Sequence, residues 1–518
     1  MVKKIVLMTV ILSMMMSIVG CGGGASTGNN TNDSSTNSET DNKDSSNKGE
    51  SYETVVYSYA TFNNIPSNDA LSSVEEEINK ITRERIGVEV ELMPINITEY
   101  GQKVSLALQG GEQIDIFESL GDFNTSVSAK MAYDITELVD QYAVETKELI
   151  GEEILAAVTK EGSLYGIPTY KPYALTPMVI YKQEIADELN LDMSQVKSIE
   201  DLTDVLRTVK DAYPDMTPLV PVSPGDSGIY RTVEEIDFLS DDYLSPKGVL
   251  QGDSLTVVDF YALPEFMEKA GLARQWYQEN LILQDAATTT STAQELMASN
   301  NSFCYIASYS YPEEDTAASL SSQMGTKVGA KRIGEAYLDT SSISALTWMV
   351  SSMSDVPEAA VKFLNLTFTD PDVVNLLIYG IEGRDYVLDE NGQALYPEGE
   401  DATTVPYTAQ ISVGTLGNFF IMHPSQGTNE ESLAWEQEQN QIAKKSPAMG
   451  FTFDSSAVKT EYTAVSNVIN QYLAVISTGS VDPVTAVPDF IEKLDSAGMN
   501  AIIAEKQGQL DQWLENKE

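Results

Sequence analysis

Tyr59, Phe62, Asn63 and Asn64 follow one another where an apolar run gives way to a polar loop. Glu118 and Ser119 leave a later apolar run in the same way, Tyr170 and Tyr173 sit in a proline-rich stretch between the two halves of the chain, and Trp348 lies near a later crossing between them. Sugar rings present C–H faces that stack on aromatic planes, while Asn, Asp, Glu and Arg side chains bind hydroxyl groups. These residue types in company therefore suit carbohydrate recognition. Each of them alone also reads as core or hinge packing. Their shared placement at the ends of strands is what raises them together.

Other chemistry finds little support. Gly225-Asp226-Ser227-Gly228 resembles the serine environment of a trypsin-like protease, but the single histidine, His423, comes after the serine instead of before it. A Ser-then-His order would suit an α/β-hydrolase, yet there is no Gly-x-Ser-x-Gly elbow, and a turn accounts for the segment. No Gly-Lys dipeptide occurs, so there is no Walker A loop. One histidine and two cysteines, Cys21 and Cys304, leave little for a metal site or a disulfide framework, and no cofactor is implied. Adjacent acids such as Glu152-Glu153 and Glu313-Glu314 could in principle serve glycoside hydrolysis. With 78 Asp and Glu in the chain, however, no pair stands out from a solvated surface.

The elements that would position the aromatic and polar groups follow from periodicity. Residues 54–59 are β-branched and aromatic and read as a strand. A helix carrying Ser72-Ser73-Val74-Glu75-Glu76 ends at Gly87, and residues 88–93 alternate as a second strand. Tyr100, Val104, Ala107 and Leu108 share one helical face, closed by Gly110-Gly111, before a third strand over 114–117. This β-α-β-α-β order predicts right-handed crossovers and a largely parallel sheet. A second unit begins with a strand at 178–181 and a helix capped by Ser198 that closes at Pro214. Residues 302–308 read as a strand returning to the first lobe, Asp370-Pro371 opens a helix stopped by Gly380, and the chain from Ser456 to Trp513 is mostly helical. Two α/β lobes joined by more than one crossing fit this order.

Charge narrows the partners. Against 78 acids stand 31 Lys and Arg, giving a net charge of −47. Such a chain repels nucleic acid and anionic lipid alike. A polyanionic ligand is disfavoured, though Arg231, Lys171 or Arg384 could pair a single uronate carboxylate. At the N-terminus, Lys3 and Lys4 precede an uncharged run over 5–19 that suits an export signal better than a membrane span. Ile18-Val19-Gly20-Cys21 resembles the bacterial lipobox, which implies lipid attachment at Cys21 after removal of residues 1–20. Residues 22–50 contain Ala25 as their only apolar residue and form a tether. At about 5–6 Å × √n, it reaches roughly 30 Å from a membrane.

Several motifs carry a family resemblance. Glu161-Gly-Ser-Leu-Tyr-Gly-Ile-Pro168 is similar to a crossing of extracellular solute-binding proteins of ABC importers. Tyr379-Gly-Ile-Glu382-Gly-Arg384-Asp-Tyr-Val387, Ser446-Pro-Ala-Met-Gly-Phe451, Val458-Lys-Thr-Glu461 and the segment from Ala504 to Trp513 resemble the Gram-positive lipoprotein branch of family 1. The resemblance spans residues 52–518. It implies an α/β, two-lobed, periplasmic-binding-protein-like flytrap with extra C-terminal helices. Lobe 1 would comprise residues 51–168 and about 299–345, lobe 2 residues 169–298 and about 346–455, and the helical segment residues 456–518. It further implies a non-enzymatic monomer outside the cytoplasmic membrane that captures an oligosaccharide and delivers it to ABC permease subunits. Glu382 and Arg384 join the candidate contacts on this ground, with a structural corner as the competing role. A peptide or amino-acid derivative on the same scaffold, or a surface glycoside hydrolase, remain the alternatives.

Overall fold

The computed structural model describes residues 51–518 except 63, 122, 300, 410–414, 426–427 and 518. The signal segment, Cys21, the tether up to residue 50 and Asn63 lie outside the described residues. Among the described residues no helix is long and apolar enough to cross a membrane.

The chain opens with β1 (Glu53–Thr61), α1 (Asn68–Arg85), β2 (Val88–Asn96), α2 (Ile97–Gly110) and β3 (Ile116–Glu118). Local signals fix each boundary. The Ser67 hydroxyl accepts from the Ala70 N–H at the start of α1, one turn before the Ser72 box. Gly111 ends α2 in the left-handed conformation, with φ of +74°. The chain continues through β4 (Ile167–Pro168), β5 (Thr176–Lys182), α3 (Leu202–Ala212), β6 (Thr217–Leu219), β7 (Ser302–Tyr309), α4 (Glu313–Met324), β8 (Val328–Arg332), β9 (Tyr337–Leu338) and β10 (Thr347–Val350). Helices α5 (Pro357–Thr369), α6 (Pro371–Tyr379) and α7 (Glu430–Ile442) follow. Strand β11 (Lys444–Lys445) then precedes three closing helices: α8 (Lys459–Ser477), α9 (Pro483–Ala497) and α10 (Met499–Lys517).

Two sheets organise the fold. The first has the order β2-β1-β3-β10-β4, with β1 parallel to β2 and β3 and with β10 antiparallel to its neighbours. The second has the order β8-β5-β7-β6. The parallel start agrees with the sequence pattern. The expectation that residues 302–308 return to the first lobe is corrected: β7 pairs with β5 and β6 in the second sheet, and β10 is the strand that returns. The strand over 302–309 thus belongs to the second sheet and the Trp348 strand to the first, while Leu338 and Ile343 pack in the first lobe's core. Strands this buried carry no alternation that would say which sheet they join.

The cap of α3 is likewise shifted. Its N-cap is Asp201, whose carboxylate accepts from the Lys197 and Ser198 N–H groups, so Ser198 begins the preceding turn. One apolar core fills the first lobe around Tyr57, Trp348 and Phe363. Another joins residues 233–270 to α8, α9 and α10, so the C-terminal helices complete a core instead of standing apart. Lys506 on α10 is fully buried there and meets Asp241 at 2.7 Å.

Candidate functional site

The carboxyl ends of β1 and β3 meet at Tyr100 of α2. Its hydroxyl donates to the Ser58 carbonyl at 3.0 Å and accepts from the Glu118 N–H at 2.8 Å. This pins Ser58, Glu118 and Ser119 at one sheet edge. Glu118 is 2% exposed, yet among the described residues neither carboxylate oxygen has a hydrogen-bond partner, and the same holds for Tyr57 Oη, Ser58 Oγ and Ser119 Oγ. Buried polar groups are normally paired, so the three partnerless atoms of Glu118 and Ser119, at the carboxyl end of β3, mark a place built for something else, whereas Tyr57 lies mid-strand in the core and Ser58 beside it faces the other side of the sheet.

Burial pushes the Glu118 carboxyl well above the ordinary carboxylate range, with Lys171 opposing the shift. Burial pulls the Lys171 ammonium down to about 8, with Glu118 opposing in turn. That ammonium lies 5.2 Å from the centre of the Tyr173 ring. Lys171 as a whole is half-buried.

Helix α7 holds the crossing on which Lys171 sits. Asn440 accepts from the Tyr173 and Ala174 N–H groups and donates to the Lys171 carbonyl at 2.7 Å. One turn earlier on the same face, buried Glu436 neighbours Ser310 and Tyr311 beyond the carboxyl end of β7. Burial raises the Glu436 carboxyl to about 8, with Ser310 opposing and Asp315 adding. Gln437 donates to the Tyr170 hydroxyl at 3.4 Å. The helix thus addresses the first sheet's crossing with one residue and the second sheet's edge with another.

On the second sheet, Tyr309 closes β7, and its hydroxyl meets that of Tyr305 at 2.7 Å. The Arg231 guanidinium lies 4.3 Å from the Tyr243 ring centre and donates to Asp226 at 2.7 Å, while its buried Nε has no partner among the described residues. The cation is neutralised by Asp226, which suits an uncharged ligand better than a uronate.

The sequence-nominated residues divide accordingly. Glu118 and Ser119 stand at the edge with partnerless atoms, and Tyr170 and Tyr173 line the crossing beside them. Tyr170 packs edge-on against Phe420 at 5.1 Å, and the Tyr173 hydroxyl donates to the Thr169 carbonyl at 2.6 Å. Trp348 is fully buried, stacked on Tyr57 at 4.7 Å, with its indole N–H donated to the Thr415 carbonyl. It supports the site from behind and has no face left to offer. Tyr59 is likewise core, its hydroxyl 2.9 Å from that of Tyr407.

Phe62 packs half-buried on the first core, Asn64 is exposed in the loop, and Asn63 lies outside the described residues. Glu382 is exposed, whereas Arg384 ion-pairs Asp385 at 2.7 Å. Asp385 also accepts from the Ile381 and Tyr407 N–H groups, so this segment is a structural corner. Sequence reasoning missed Glu436, Gln437 and Asn440. Trp435, which takes the Arg332 guanidinium 4.7 Å from its ring centre, was the signal that could have drawn attention to α7.

Comparisons with known proteins bear on this arrangement. The family model for bacterial extracellular solute-binding proteins matches residues 77–379, and a domain of unknown function matches residues 447–515. A carbohydrate ABC transporter substrate-binding protein of Streptococcus pneumoniae serotype 4 is 27% identical over 457 residues, 87% of this chain and 89% of that one. Among solved structures, the N-glycan transport solute binding protein NgtS of S. pneumoniae is 24% identical with a TM-score of 0.75, covering 90% of this chain and 100% of that one. Its complex with Man5GlcNAc gives a TM-score of 0.60 at 24% identity, covering 90% and 99%. A solute-binding protein for HMO from Bifidobacterium longum infantis is 16% identical with a TM-score of 0.63, covering 89% and 99%. These likenesses establish the two-lobed α/β fold.

Proposed function

Because the chain belongs to the bacterial extracellular solute-binding proteins, we propose that it is the lipid-anchored binding component of an ABC importer, capturing a neutral oligosaccharide between its lobes for delivery to permease subunits. One observation carries the reading: the partnerless buried oxygens of Glu118 and Ser119 at the end of β3, with Glu118 beside Lys171 on a crossing. Sugar hydroxyls both donate and accept, so a polyol satisfies a carboxylate, hydroxyls and an ammonium together. A free peptide would bring charged termini, and two of the cations nominated from sequence, Arg231 and Arg384, are already matched by Asp226 and Asp385.

The carbohydrate class is supported by the relatives, whose names record N-glycan, HMO and kestose as ligands or cargo. The anchor rests on Cys21 and the polar tether behind it. Selectivity comes from closure: groups of the first sheet, of α7 and of the second sheet contact one ligand together only when the lobes meet, so ligand shifts that population. The protein then works as a single polypeptide that binds and releases without changing its ligand.

Isothermal titration against Man1GlcNAc, Man5GlcNAc, kestose and milk oligosaccharides, with product analysis afterwards, tests the proposal. Saturable binding of one class with intact product supports it. Cleaved product would turn the reading to a hydrolase, and binding of peptides instead of glycans would leave the scaffold with a different cargo.

A further inference from the structure

A cavity of about 760 Å³ lies apart from the cleft groups, sharing none of the residues described above as candidate contacts. One wall comes from residues 136–164 of the first lobe, the other from Met449, Gly450 and the end of α10. Leu155, Met449 and Trp513 supply apolar surface, and Asp140, Glu152 and Glu161 bring exposed carboxylates to the lining. Trp513 is half-buried and packs edge-on against Phe451 at 6.0 Å, which fixes the indole plane while part of it lines the cavity.

Gly450 is required where the walls approach. With φ of +97°, a Cβ there would lie 2.9 Å from the Ala156 carbonyl oxygen and 3.3 Å from Trp513 Cζ2. The volume falls within the roughly 300–1,000 Å³ of small-molecule sites. Its lining combines a fixed aromatic plane with oxygen acceptors and hydroxyls from Thr136 and Thr159. The single lining cation, Lys147, is paired with Asp140 at 2.6 Å, so the cavity is net negative and repels an anionic ligand. An uncharged molecule with both an apolar face and many hydroxyls fits those terms.

We propose that this cavity is a second carbohydrate site, taking a short neutral oligosaccharide on Trp513. The proposal extends the carbohydrate reading of the cleft but stands on separate residues, so each can fail alone. The two sites together would hold a branched or long glycan at two points, or concentrate glycan at the protein surface.

The test labels the four tryptophans of the purified protein with 5-fluorotryptophan, assigns the Trp513 resonance with Trp513→Phe, and titrates Man5GlcNAc and kestose to millimolar concentration. A saturable Trp513 shift that persists in Glu118→Gln and weakens at least tenfold in the rim variant Glu152→Gln/Glu161→Gln is the expected result. Both rim residues are exposed, so that variant keeps its fold. A Trp513 resonance unmoved by both glycans overturns the second site, even if the cleft binds them. A shift lost together with cleft binding in Glu118→Gln also overturns it, since the signal would then report closure.

Discussion

Replacing Glu118 by Gln separates a ligand contact from a structural acid by the opposite signs of two effects. Gln keeps the shape of Glu118 and removes its charge. In the ligand-free protein that charge is a burden, because both oxygens are buried without a donor. The sign follows from the raised carboxyl. A group that holds its proton more tightly folded than unfolded gives stability present at low pH and lost as pH rises above the ordinary carboxyl value. The wild type should therefore lose stability on that limb by up to about 1.4 kcal/mol per pH unit, and Glu118→Gln should flatten it.

Near pH 4 the two proteins should match; near pH 8 the variant should melt higher. Ligand binding should move the other way. One charge-assisted hydrogen bond is worth about 1.5–3 kcal/mol, so affinity should fall roughly ten- to 150-fold. The wild type should also release protons on binding, because donor hydroxyls favour the ionised carboxylate, and the variant should not. Titration calorimetry in buffers of different ionisation enthalpy, beside thermal melts across pH, reads all three quantities. A variant that is more stable yet binds as tightly would refute the assignment of Glu118 to the ligand.

Three further outcomes follow from buried charges. Glu436→Gln should remove a stability loss that the wild type shows as pH rises from the ordinary carboxyl value through about 8, because the folded protein holds that proton; urea midpoints at several pH values measure it. Lys506→Met strands Asp241, which keeps only the Tyr462 hydroxyl and the Lys247 N–H, and should cost about 3–5 kcal/mol in chemical denaturation. Adding Asp241→Asn should recover part of that loss. Asp385→Ala frees two N–H groups and Arg384 at the corner and should cost a similar ~3–5 kcal/mol, while the folded fraction binds glycan with unchanged affinity.

Much of the first lobe was legible because its strands and helices carry local signals. Residues 88–93 alternate, and Gly111 and Gly380 end helices at the positions their sequence context predicts. The failures share a cause in tertiary partnership. Residues 302–309 and 347–350 are buried strands whose apolar character is the same in either sheet, so nothing local chose between the two lobes. Trp348, nominated as a sugar contact with core packing as its competing role, took the core role: a residue type that stacks on sugars also stacks on Tyr57. Glu118 was found because it follows a strand in a parallel unit, where chain topology predicts an edge. Glu436 was missed because burial alone distinguishes it from the other acids of the chain, and burial is a property of the folded whole.

The same atoms that mark the site also account for how capture is coupled to shape. An unsatisfied buried donor or acceptor costs about 1–3 kcal/mol, and three of them, from Glu118 and Ser119, gather where β3 ends. Turning a two-state equilibrium from one part in a hundred to ninety-nine takes about 5.5 kcal/mol of differential binding. Supplying partners to those three atoms, about 3–9 kcal/mol in all, is of that size, so a polyol that reaches them has enough to close the lobes. Helix α7 gives the coupling its rigidity. Asn440 bonds the crossing near one end, and Ser432 donates to Asp315 of α4 at 2.6 Å, two turns away. A ligand held at Glu118 and Lys171 thus fixes the crossing to which α7 is bonded, and α7 carries that position to Tyr311 and Asp315 beyond β7. Affinity and closure then draw on one set of contacts. A variant that weakens the crossing bond, such as Asn440→Ala, should lower affinity by loosening the backbone of Lys171, Tyr173 and Ala174 that Asn440 holds.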